Sequence, residues 1–231
     1  MASAAPAPVK AINAPPPAAS PRIVVIDRPH SPQSVIRAGR LLSLRGALAP
    51  GEAPQDAADL ANQVLGNDFL SRLNTDLREE KNWSYGVHSQ LRSPVGQRSL
   101  IVSAPVQSDR TGDAIRALLA DMRAYPATKP TTATERERAT EGNIRSLPNG
   151  FETNAQLLAK IEANERLHRP ADYYATLPAR LRALDGAALD KAAQSWLQPE
   201  GLTFVVVGDA KLVLPQVQGL GMPVEVMKAG E

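Results

Sequence analysis

The chain contains no cysteine. Disulfides, thiolate catalysis, iron–sulfur clusters and cysteine-ligated zinc are excluded together, while the redox compartment stays unread. Aromatic residues make up only 4% of the sequence, too few for a run of base-stacking platforms. Positive charge is not concentrated either. The 26 Lys and Arg residues face 24 Asp and Glu, a net of +2, and no basic cluster stands out, so nucleic acid is not an expected partner. No apolar run approaches the roughly 20 residues of a membrane span. Residues 1–22 lack the apolar stretch of about 7–15 residues that a secretory signal carries.

Proline is plentiful at 20 residues, and the first 22 positions hold 8 Ala and 6 Pro, including Pro15-Pro16-Pro17. Such a stretch buries too little apolar surface to offset its ordering entropy. It reads as a semi-rigid linker over 1–22, with a simple tail as the other option. The remaining 23–231 reads as one domain, since 231 residues at 43% hydrophobic suffice for one good core.

Ile23 to Ile26 is a short buried strand closed by Asp27-Arg28-Pro29. Ser34 to Ser43 alternates as a second strand. Ala57, Leu60, Ala61, Val64 and Leu65 fall at helical spacing and stop at Gly66-Asn67. Leu70, Leu73 and Leu77 form a second helical stripe running to about Lys81. Tyr85 to Leu91 and Leu100 to Val106 alternate and predict a hairpin turning near Pro94 to Gly96. Five helices follow: Ile115 to Met122, Thr131 to Ser146, Ala155 to His168, Tyr173 to Leu184, and Ala187 to Leu197. Leu202 to Val207 is an apolar strand, and Pro223 to Met227 a last short one. Strands in adjacent antiparallel pairs, rather than strict β-α-β alternation, predict an α+β two-layer sandwich. Its sheet is mostly antiparallel, with helices on one face.

Motifs with self-contained chemistry are missing. His30, His88 and His168 stand far apart, so neither H-E-x-x-H nor H-x-x-E-H occurs and no metal ligand set is assigned. His30 reads as a turn residue, His88 as solvent-facing on its strand, and His168 as lining the core edge beside Leu157 and Ile161. There is no G-x-S-x-G and no glycine-rich phosphate loop. Gly208-Asp209 reads as an ordinary turn, and Glu79-Glu80 as a solvated helix end.

One segment holds more. Arg78 sits in the last turn of a helix and Tyr85 at the start of the following strand, joined by a tight connection that brings both to one rim of the sheet. A guanidinium and a phenol there present donors to a peptide carbonyl, the kind that stabilise a developing oxyanion. The same residues admit a structural reading, with Arg78 complementing the helix dipole and Tyr85 packing on the sheet. Taken alone, the residue pattern favours the structural one.

Ser71-Arg72-Leu73, Leu77-Arg78-Glu79 and a Tyr seven residues after Arg78 resemble the C-terminal domain of the pitrilysin/insulinase family of zinc metallopeptidases, peptidase family M16. Gln33-Ser34-Val35-Ile36-Arg37 and Val205-Val206-Val207-Gly208-Asp209 are similar to other parts of that domain, and the likeness runs over about residues 22–212. Asn67-Asp68 departs from it, since glycines are common there in the family. The resemblance implies one half of a two-part clamshell. The other half carries H-x-x-E-H and the zinc that activates water. In that arrangement Tyr85 hydrogen-bonds the scissile carbonyl and Arg78 holds the substrate backbone, while this chain binds no cofactor itself.

The resemblance also implies the partners: a zinc-bearing half from the same precursor or a separate subunit, a peptide substrate and, as an option, a second copy of the chain. A bacterial periplasmic or secreted setting follows from it too. The alternative is a scaffold or assembly subunit of the same fold without peptidase activity. A third option is an independent enzyme built on the isolated histidines.

Overall fold

The computed structural model describes residues 20–228. The expected linker lies, up to residue 19, outside the described residues. In chain order the elements are β1 (Arg22–Asp27), β2 (Gln33–Arg45), α1 (Asp56–Leu65), α2 (Arg72–Asn74, running on as a π turn over Thr75–Glu80), β3 (His88–Arg92), β4 (Gln97–Gln107) and α3 (Thr111–Ala124). Then come α4 (Ala133–Ser146), α5 (Asn154–Arg166), α6 (Tyr173–Ala183), α7 (Gly186–Trp196), β5 (Thr203–Gly208), α8 (Ala210–Val217) and β6 (Val224–Lys228).

Six strands form one sheet in the order β3-β4-β2-β5-β1-β6. The α+β expectation holds, with three antiparallel pairings and two parallel ones, β1 with β5 and β1 with β6. Adjacency differs from the sequence reading, because β1 and β2 do not pair: β5 lies between them. β1 is a central strand with Ile23 and Val25 fully buried, which explains its unbroken apolar run.

β2 shows the two-sided logic best. Ser34, Ile36, Ala38 and Leu42 point into the core, while Val35, Arg37 and Leu41 point away, as period 2 requires. The inward face packs against the helices, with Leu60, Leu65, Ile115, Leu118, Leu189 and Trp196 in the same core. The second face, carrying Val35, Ser103, Val205 and Val207, stays partly open. Leu73 and Leu77 are both fully buried at i, i+4 and anchor α2, each contributing about 1.5–3 kcal/mol by burial.

The five central helices fall where the periodicity puts them, and two begin with capping boxes legible in the sequence. Thr132 with Glu135 closes the first turn of α4, and Thr153 with Gln156 that of α5, each pair satisfying two otherwise orphaned N–H groups. The last α-helix of the described residues, α8, went unread. Asp209 is not just a turn residue: its carboxylate accepts the Lys211 N–H at 3.0 Å and starts α8. Val213 and Val217 from that helix are fully buried. The His168 expectation also fails. His168 follows the end of α5 with φ of 52° and is exposed, as are Leu157 and Ile161, so that stripe faces outward. His30, in a turn with φ of 62°, and His88, exposed on β3, are where the sequence placed them.

Candidate functional site

Arg78 and Tyr85 line the same hollow, about 350 Å³ in volume, together with Trp83, Ser84, Pro105 and Gln107. Gln33 closes it where β2 begins. Gln33 pairs with Gln107, and Val35 with Pro105, so these residues share the outward side of the sheet. The hollow therefore sits at one end of the partly open face.

The segment before it folds by close contact and local capping. Gly66 packs so tightly on β3 that an added Cβ would lie 2.5 Å from the Ser89 hydroxyl; its carbonyl accepts the Ser89 N–H at 2.8 Å. The departure at Asn67-Asp68 has a use of its own. The Asp68 carboxylate accepts the Leu70 N–H at 2.9 Å, stabilising the turn that precedes α2. Leu70 lies in that turn and is exposed, so it is not part of the helical stripe predicted with Leu73 and Leu77.

α2 opens conventionally, then widens. Lys81 donates its N–H to the Asp76 carbonyl at 3.0 Å, a bond five residues back. A π turn inserts an extra residue and changes the directions of those after it. Arg72, Asp76 and Glu80 flank one side of α2, around a larger hollow of about 760 Å³ that also holds Asp121 and Glu135. Arg78 and Glu79 belong to the other side. The Arg78 guanidinium lies 4.5 Å over the Phe69 ring and 3.2 Å from the Glu79 carboxylate. Asn82, with φ of 55°, then reverses the chain in a conformation that asparagine tolerates well.

Tyr85 does not open the strand, which begins at His88. It occupies a bend between two anchors. On one side Ser84 bridges to Val106, and its hydroxyl donates to the Pro105 carbonyl at 2.5 Å. On the other, Val87 is buried and its N–H donates to the Asn74 side-chain oxygen at 2.8 Å. With Ser84 and Val87 held, the tyrosine between them projects into solvent at 86% exposure. The structural reading in which Tyr85 packs on the sheet is thereby corrected.

The remaining charged residues of the segment have structural partners. Arg72, from the Ser-Arg-Leu motif, forms two parallel bonds of 2.7 Å with Glu135 and reaches the Lys129 and Pro130 carbonyls. Its guanidinium lies 4.6 Å over the Tyr125 ring. Burial pushes the Glu135 carboxyl up, but the bonds from Arg72 and Thr132 outweigh it and bring it down to about 2. Asp121, in the same hollow, is pushed up to about 6 by burial and by the charges of Asp76 and Glu80.

Sequence reasoning missed Asn74 and Phe69. Asn74 is 3% exposed; its amide nitrogen donates to the Phe69 carbonyl at 2.6 Å while its oxygen takes the Val87 N–H. An asparagine between two core leucines was the available signal, because a buried amide needs partners on both ends. No three His, Asp or Glu side chains among the described residues come together so as to hold a metal ion.

A two-layer α+β domain, with a phenol and a guanidinium at the end of its open face and no metal-holding cluster among the described residues, is the class defined here. The family described as the peptidase M16 inactive domain matches residues 3–142, and the chain belongs to it. A peptidase M16 inactive domain from Pseudomonas fluorescens superposes with a TM-score of 0.71 at 19% identity, covering 84% of this chain and 45% of that one. The periplasmic protease PqqL from Escherichia coli gives 0.67 at 17% identity, over 83% and 21%. A zinc protease assignment from Bordetella pertussis Tohama I gives 0.62 at 19%, over 75% and 92%. At these identities the likeness is one of fold. The chain spans less than half the length of the first two. No curated protein matches it.

Proposed function

We propose that this chain is the substrate-binding, non-metal half of a zinc peptidase and completes the chamber of an H-x-x-E-H-bearing half. The observation that carries the reading is Tyr85, set between the anchored Ser84 and Val87 yet 86% exposed, in one hollow with Arg78. An aromatic phenol left in solvent by a well-anchored bend is poorly explained by packing and well explained by a partner that covers it.

In the closed chamber Tyr85 donates its O–H to the scissile carbonyl oxygen as negative charge develops there. Arg78 offers its planar set of N–H donors to a neighbouring carbonyl of the peptide backbone and holds its register. The zinc of the partner supplies the activated water. The periplasmic setting of the neighbour PqqL is carried over as part of this proposal.

Mixing the chain with a zinc-bearing M16 half and following cleavage of a fluorogenic peptide tests the reading. Cleavage is expected only in the mixture, is abolished by a chelator, and falls sharply in Tyr85→Phe. Wild-type turnover in Tyr85→Phe would remove the assigned role and leave the chain a scaffold of the same fold.

A further inference from the structure

Phe69 is a large apolar residue left 62% exposed at the turn before α2, and its ring has one described partner, the Arg78 guanidinium at 4.5 Å. Its backbone is not loose. Asn74 bonds the Phe69 carbonyl at 2.6 Å, Asp68 takes the next N–H at 2.9 Å, and Arg138 donates to the Leu70 carbonyl at 2.8 Å. A tightly held backbone thus presents an uncovered ring to one guanidinium.

We infer that Phe69 is a positioning residue for Arg78, an inference that rests on the substrate-binding reading above. The chemistry concerns which donors are spent. A guanidinium stacked on an aromatic ring uses its flat face, so the N–H groups in its plane stay free for a carbonyl. An ion pair uses those same N–H groups. Glu79, at 3.2 Å from Nε, competes for them, and an exposed arginine arm has many rotamers to choose among. The Phe69 ring limits that choice and keeps the donors of Arg78 over the hollow that it shares with Tyr85. Asn74 couples the two ends of the device, since one amide fixes both the Phe69 turn and the Val87 end of the Tyr85 bend.

Two measurements test it. In the full chain alone, the Arg78 Nε–H resonance, assigned by its loss in Arg78→Lys, is expected to show a ring-current shift that disappears in Phe69→Leu and persists in Phe69→Tyr. An unshifted resonance in the wild type, or an unchanged one in Phe69→Leu, overturns the inference. In the reconstituted peptidase, Phe69→Leu is expected to lower kcat/KM about two- to five-fold, the scale of one exposed cation–π contact. Phe69→Tyr recovers most of that loss, and Phe69→Leu adds nothing to Arg78→Ala. If Arg78→Ala impairs cleavage while Phe69→Leu does not, or the two losses multiply, the inference fails and the substrate-binding reading survives. If Arg78→Ala cleaves like wild type, that reading fails for Arg78, and the positioning role falls with it whatever the resonance shows.

Discussion

The Val87 N–H donates to the side-chain oxygen of Asn74 at 2.8 Å, and this bond ties the helix that carries Arg78 to the bend that carries Tyr85. The other end of the amide holds the Phe69 carbonyl. Asn74→Ala removes both partners at a site with almost no access to water, leaving one donor and one acceptor unsatisfied. Urea unfolding is expected to show a loss of about 2–3 kcal/mol. Asn74→Asp keeps the acceptor for Val87 but sets a carboxylate against the Phe69 carbonyl, so it should also destabilise. An unchanged midpoint in Asn74→Ala would mean that water takes over both bonds.

Tyr85 should separate function from folding. Its ring touches little of the core, so Tyr85→Phe is expected to shift unfolding free energy by no more than about 0.5 kcal/mol. In the mixture with a zinc-bearing half the same change should cost about 10²–10³ in kcat, the scale of losing one oxyanion donor. A large stability loss would show that the hydroxyl serves the fold, and the turnover result would then lose its meaning.

The parts of the fold that could be read from the sequence were those set by local periodicity. The β2 alternation and the i, i+4 pair Leu73 and Leu77 put those residues inside without reference to the rest of the chain. Pairing was less legible. Nothing local tells Val24 that its neighbour across the ladder is Val205, 181 positions on, rather than a residue of β2; the parallel pairing is decided by how the long helical stretch α3 to α7 returns the chain to β5. The Tyr85 region misled for a different reason. Tyr85, Val87, Ser89 and Leu91 alternate as a strand does, but Val87 spends its N–H on Asn74 and Ser84 its hydroxyl on Pro105, and side-chain bonds of this kind break a ladder without disturbing the pattern of residue types. That Arg78 and Tyr85 would come to one hollow was legible as a spacing, while the aromatic ring beneath Arg78 was not, because an exposed phenylalanine in a turn has no periodic signature.

Glu135 should shape the acid limb of stability. Its carboxyl is held at about 2, below its ordinary value near 4.5, so the folded state favours its charged form. That contribution is fully present above about pH 4.5 and is lost as pH falls toward 2. Glu135→Gln is expected to destabilise at neutral pH, since it strips the two bonds from Arg72 of their charge, and to flatten the wild-type decline between those pH values. Stability curves measured by urea from pH 2 to 7 decide it; a mutant that runs parallel to wild type over that range would dissociate Glu135 from acid unfolding.

Asp121 should act in the opposite sense. Its carboxyl is raised to about 6 from an ordinary 3.8, by burial first and then by the charge of Asp76, with Lys129 and Lys81 pulling the other way and Glu80 adding a smaller push up. One of its oxygens is buried without a hydrogen-bond partner. The folded state therefore binds a proton that the unfolded chain has already released, and stability falls as pH rises from about 4 to about 6, then stays lowered. Asp121→Asn keeps the shape and removes the charge. It is expected to leave stability near that of wild type below about pH 4 and to raise it at pH 7 by on the order of 1 kcal/mol, after discounting for the solvent that still reaches the group. A mutant gain that persists unchanged at pH 4 would mean the benefit comes from packing and not from the carboxylate charge.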